Sequence, residues 1–154
     1  MLAELGRFGQ KSGRGFYRYD GPGGERSADP EVLDLVQAEA VRLGIRQRNV
    51  TSAEIVGRCV LALINEGARI LEEGVAGCPA DIDVIWCNGY GFPRHRGGPM
   101  FYADTRGLPN VFASILNYAK EHGERYWTPA PLLVTLANGN STFAAWQAGR
   151  AAPA

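Results

Sequence analysis

The sequence predicts an all-α domain with a short non-helical N-terminal arm. Apolar residues recur at helical spacing in several separate runs from Val32 onward, and most of these runs open on a cap or a proline. No alternation of strand and helix patterns appears, so no parallel sheet is expected. The stretch before Gly24 is rich in glycine, arginine and aromatics, and has too few aliphatic residues to form a core.

Within that arm, Gly13-Arg-Gly-Phe-Tyr-Arg-Tyr19 is expected to be a short strand or an extended segment, and Gly21-Pro-Gly-Gly24 breaks it. Asp29-Pro30 reads as an N-cap followed by proline at the first helical position, with Val32, Leu33, Val36, Ala40, Val41 and Leu43 on one face and Gly44 as the stop. Thr51-Ser-Ala-Glu54 is a capping box. It opens the longest helix, to about Glu73, whose apolar residues (Ile55, Val56, Cys59, Val60, Leu63, Ile64, Ile70, Leu71) spread widely enough to predict burial on most sides. Pro79-Ala-Asp81 starts a third helix, with Asp81 and Asp83 near its positive end. An irregular loop, Gly89 to Gly98, leads to a short helix at Pro99. Val111, Phe112, Ile115, Leu116 and Ala119 mark an amphipathic helix ended by Gly123. Thr128-Pro129 is expected to cap a last short helix over Leu132 to Ala137. The Ala-rich tail is expected to fray.

The chain has 154 residues, enough for one modest core. Its sixteen basic and sixteen acidic side chains cancel, which removes the field that draws proteins to nucleic acid or anionic membranes. No run approaches the roughly 20 apolar residues of a membrane span, and residues 1–10 lack a signal-peptide core. Cys59, Cys78 and Cys87 form no Cys-x-x-Cys, so no metal site is expected; they read as buried free thiols of a reducing, cytoplasmic protein.

Gly9-Gln-Lys-Ser-Gly-Arg-Gly15 has the residues of a phosphate loop in the wrong order, and Gly89-Tyr-Gly91 lacks the third glycine and the preceding strand of a dinucleotide fingerprint. No cofactor is therefore expected in this chain. Arg94-His95-Arg96-Gly97-Gly98-Pro99 places two arginines before a helix N-terminus, where an anion such as a CoA phosphate could be held; a structural turn with surface arginines is the alternative. Arg58, Asn65, Glu66 and Arg69 lie close together on the long helix. On so apolar a helix some of them should be buried and paired, with Glu66 and Arg69 the expected ion pair of a structural network.

Three segments carry a resemblance. Gly9-Gln-Lys-Ser-Gly-Arg-Gly-Phe-Tyr-Arg-Tyr19 resembles the segment that closes the helical domain of 3-hydroxyacyl-CoA dehydrogenases. Ile64-Asn-Glu-Gly-Ala-Arg-Ile-Leu-Glu-Glu-Gly74 with Asp81-Ile-Asp-Val84 resembles the start of such a domain, and Asn88 to Asp104 its middle. A closing segment followed by a new opening is similar to the multifunctional fatty-acid β-oxidation enzymes, of the alpha-subunit type, which join an enoyl-CoA hydratase, an NAD-binding domain and two tandem helical domains.

The resemblance implies that residues 1–24 close a first helical domain, 25–147 form a second, and 148–154 are a frayed tail. It implies partners in the preceding NAD-binding and first helical domains, NAD in the parent enzyme, and acyl-CoA at a cleft edge. The family's catalytic His and Glu have no counterpart here. Its helical-domain Asn falls on Gly57, before Arg58, which implies a copy that keeps the shape without the site. A free-standing interaction module and a small acyl-CoA-binding module remain as rivals. The aromatics Phe8, Phe16, Tyr17 and Tyr19, bared if the arm stands alone, lead to the expectation of a two-fold homodimer burying about 1,200–2,000 Å².

Overall fold

The computed structural model describes residues 2–21 and 24–151. Its contacts divide the chain into two units, Met1–Asn49 and Val50–Ala154. The first helix groups with the arm in the first of these units.

In the first unit the arm is a hairpin: β1 (Tyr17–Tyr19) pairs antiparallel with β2 (Arg26–Ala28), Tyr17 opposite Ala28 and Tyr19 opposite Arg26. The break expected over 21–24 falls partly on residues 22 and 23, outside those described. Helix α1 (Pro30–Arg42) starts as its sequence dictates, with the Asp29 carboxylate accepting from the Glu31 N–H at 3.2 Å. Of its apolar residues only Val32 is buried; Leu33, Val36 and Val41 are exposed, as is Leu43 just past its end.

Charge does in this unit what an aliphatic core does elsewhere. The Asp29 side chain is fully buried and meets Arg7 at 2.6 Å and Arg18 at 3.1 Å, while Arg7 also reaches Glu31. The hydrogen bond from Arg7 is the main cause that holds the Asp29 carboxyl at about 2; burial opposes it, and Arg18 adds to it. That value lies below the ordinary aspartate range, so the group contributes stability above about pH 4 that is lost as pH falls through about 2. Amide protection factors at Glu31 and along β1, with the intrinsic pH dependence of exchange divided out, should fall between pH 5 and pH 2 in the native chain and be nearly flat over that window in Asp29→Asn. The same acid dependence in both would refute the role given to this carboxylate.

The second unit holds six helices among its described residues: α2 (Ser52–Glu72), α3 (Pro79–Gly89), α4 (Pro99–Arg106), α5 (Leu108–His122), α6 (Pro131–Asn138) and α7 (Phe143–Ala151). Thr51 caps α2 through Glu54 N–H at 3.2 Å, and Asp81 accepts from Cys78 N–H at the start of α3. The core gathers Leu61, Ile64, Ala68 and Leu71 of α2 with Met100 of α4, Val111 and Ile115 of α5, Leu133 of α6 and Phe143 of α7.

Four expectations change. Helix α2 is buried along one face of its second half, while Ile55 and Val56 in its first half are exposed, because α4, α5 and α6 cover one side only. The cap of α6 is Ala130, with Pro131 at the first position; the Thr128 hydroxyl instead donates to the Glu124 carbonyl at 2.8 Å. Cys59 is exposed, and Cys78 and Cys87 are half-buried. The tail is helical through Ala151, residues 152–154 lying outside those described, since Phe143 is buried and alanine is the strongest helix former.

Candidate functional site

The loop before α4 makes one tight turn over Arg94–Arg96, then Gly97 and Gly98 adopt φ of +78° and +106°. Gly98 is the residue before α4 and has no side chain to cap it. The cap comes from α3. Asp83 Oδ1 accepts from Met100 N–H at 2.7 Å and Oδ2 from Phe101 N–H at 3.0 Å. The N–H groups that the sequence offers to an external anion are thus already taken by the chain's own carboxylate. Arg94 turns to Asn88 Oδ1 at 3.0 Å, and the Arg96 guanidinium lies 5.6 Å from the centre of the Tyr102 ring. The two arginines do not converge on the helix end.

The same device recurs one helix on. Asp104, on α4, accepts from Phe143 N–H at 2.8 Å and Ala144 N–H at 3.1 Å, and so holds the start of α7. Burial pushes both carboxyls above the usual aspartate range, against the backbone N–H donors that pull them down. The sign is opposite to that of Asp29. The folded form takes up these protons before the unfolded chain does, so their contribution to stability falls as pH rises through the raised values. The sequence pattern assigned Asp83 to its own helix and left Asp104 without a role. The available signal was the bare glycine at position 98, which requires a cap from outside the segment.

On α2 the expected network separates in two. Asn65 is buried and reaches across to the loop before α6, its amide donating to the Thr128 carbonyl at 2.9 Å and accepting from Ala130 N–H at 2.8 Å. Arg69 joins it at the Thr128 carbonyl, 3.3 Å. Glu66, expected to be buried, is 62% exposed and meets Arg69 at 3.4 Å as a surface pair, because the buried stripe of α2 runs through Asn65 and Ala68 and leaves position 66 on the solvent side. Arg58 stands apart, 3.6 Å from Glu54 and over the Tyr118 ring. Gly57 presents bare backbone nearby, where an added Cβ would touch the Tyr118 hydroxyl at 3.4 Å. Among the described residues no three potential metal ligands cluster, and no helix is long and apolar enough to cross a membrane.

This geometry defines a helical domain in which Asn65, Asp83 and Asp104 are committed to tying its helices and loops together. The family described as the C-terminal domain of 3-hydroxyacyl-CoA dehydrogenase matches residues 55–149, within the second unit, and the chain belongs to that family. A peroxisomal bifunctional enzyme of Danio rerio is 47% identical over 96% of this chain and 21% of its own length. The human peroxisomal bifunctional enzyme is 42% identical over 99% of this chain and 22% of its own. A fatty acid oxidation complex subunit alpha of Shewanella halifaxensis is 36% identical over 89% of this chain and 18% of its own. The crystal structure of the dehydrogenase part of multifunctional enzyme 1 from C. elegans superposes with a TM-score of 0.62 at 28% identity, covering 87% of this chain and 31% of that one. The chain spans about a fifth of the length of the curated relatives it matches.

Proposed function

We propose that this chain is a supporting helical region of an NAD-dependent 3-hydroxyacyl-CoA dehydrogenase of fatty-acid β-oxidation, catalytically incomplete by itself. The observation that carries the reading is Gly57. The resemblance assigns its place on α2 to an asparagine, and glycine offers no amide to a substrate carbonyl. The partners are the NAD-binding and first helical domains of a longer chain. The exposed aliphatic residues Leu33, Val36 and Val41 of α1, with Leu43 just past its end, are apolar surface of the kind such a neighbour covers. By itself the chain pairs as a homodimer through the arm, where Phe8, Phe16 and Tyr17 are exposed and Tyr19 is half-buried. The reading as an acyl-CoA module through Arg94 and Arg96 loses ground to Asp83, which occupies the helix end they flank.

The cytoplasmic placement stands as a proposal beside the peroxisomal one suggested by the animal relatives' names, and fractionation of the source cells separates the two. The reading frame upstream of Met1 tests the main proposal. An in-frame Gly-x-Gly-x-x-Gly strand–helix unit supports it, and a stop codon directly before Met1 defeats it in favour of a free-standing interaction module. NADH titrated by fluorescence should bind no more tightly than millimolar, with no dehydrogenase turnover; saturable binding at micromolar NADH would overturn the assignment of an incomplete unit.

A further inference from the structure

From Ile70 to Pro93 the sequence carries carboxylates and no basic side chain. Glu72 ends α2 and Glu73 follows it, where the negative end of the helix dipole disfavours both charges. Among the described residues neither has an ion-pair partner. Beside them is an apolar cup. The chain turns back after Gly74, with the Val75 and Ala76 N–H groups both donating to the Ile70 carbonyl, and a cavity of about 290 Å³ opens between the end of α2 and α3. Ile70, Val75, Ile82, Ile85 and Trp86 wall it, and its charged wall residue is Asp81. Glu73 follows Ile70 by three positions and so shares its face of α2. Val75 and Ile85 are 74% and 56% exposed, and the exposed Tyr90 ring, 4.8 Å from that of Trp86, extends the apolar surface past the cavity. An open apolar cavity with an acidic margin suits one bulky apolar side chain carried among basic residues.

The N-terminal arm has that chemistry. Residues 6–19 hold Arg7, Lys11, Arg14 and Arg18 and no carboxylate. Arg7 and Arg18 are engaged by Asp29 and Glu31, whereas Lys11 and Arg14 have no ion-pair partner among the described residues. Phe8 and Phe16 are exposed. The segment between them is a tight closed turn. The Ser12 hydroxyl accepts from Phe8 N–H at 2.9 Å and donates to the Arg14 carbonyl at 2.9 Å. The backbones at Gly9 and Gly15 lie so close that a Cβ at position 15 would be 2.7 Å from the Gly9 Cα. A knob already held in shape loses little freedom on docking.

We propose that Phe16 of one copy seats in the cup between α2 and α3 of a second copy, with Lys11 and Arg14 facing Glu72, Glu73 and Asp81, and that two such contacts close a two-fold dimer. The contact rests on the homodimer of the proposed function and supplies its two faces. Light scattering over a dilution series reads the dissociation constant. Phe16→Ala and Ile85→Asp, both at exposed positions, should each raise it by roughly ten-fold or more with an unchanged thermal midpoint. The parent dimer should weaken as salt is raised. Arg14→Glu and Glu73→Lys should each weaken it too. Mixing the Arg14→Glu chain with the Glu73→Lys chain should bring association back to within about three-fold of the parent, because each arm then meets a cup of opposite charge. A dimer indifferent to Phe16→Ala or to Ile85→Asp, or a mixture no tighter than either charge variant alone, overturns this contact and leaves the homodimer standing. A mass of 16.7 kDa at every concentration overturns both.

Discussion

Gly98→Ala is expected to lower the stability of the helical unit by about 3–5 kcal/mol. Two causes add. The backbone at Gly98 has φ +106° and ψ 168°, a conformation that residues with a Cβ rarely adopt. An added methyl would also run into the Cβ and carboxyl of Asp83, the group that caps α4. Either the backbone moves and the two N–H bonds to Asp83 are lost, or the carboxylate is displaced and the helix end is left bare. Such a loss is a large share of the roughly 5–15 kcal/mol that holds a domain together. A urea midpoint that drops with an unchanged slope would bear this out; a loss below about 1 kcal/mol would mean that α4 tolerates the strain.

Asn65→Ala should cost about 2–4 kcal/mol, and its neighbour Glu66→Ala less than about 1 kcal/mol. Among the described residues the Asn65 amide oxygen is the acceptor for the Ala130 N–H, a donor on a fully buried residue. Removing the amide leaves that donor unpaired and weakens the tie of the α6 loop to α2. The glutamate makes a solvent-exposed pair with Arg69, which keeps its contact to the Thr128 carbonyl after the carboxylate is gone. Denaturant titration of both variants decides the matter, and a cost for Glu66→Ala equal to that of Asn65→Ala would reverse this assignment.

The contrast between these neighbours marks where the sequence stops being informative. Helix starts at Pro30, Pro79 and Pro99 were readable because their signals are local: a proline at the first position, with a capping residue close by at Asp29 and Asp81. The bundle's helical character and its family followed from such signals and from the motifs of residues 64–104. Which polar residue of a helix faces the core is another matter. Successive residues differ by about 100° around the axis, so Glu66 turns to water while Asn65, one position earlier, is buried. Asp83 and Asp104 bind amides 17 and 39 residues further on, and no local pattern connects those positions. The hairpin's dependence on Asp29 was hidden for the same reason, since Arg7 lies 22 residues away.

The two borrowed caps also fix an order of disassembly. Asp83 belongs to α3 and holds α4; Asp104 belongs to α4 and holds α7. The last helix can therefore detach while the rest of the bundle keeps its ties, whereas release of α4 takes the anchor of α7 with it. Dependence runs one way along the chain, and local opening should follow it. In native-state exchange, amides of α7 should open at lower free energy than those of α4, and a substitution at Asp83 should bring the two together into one cooperative step.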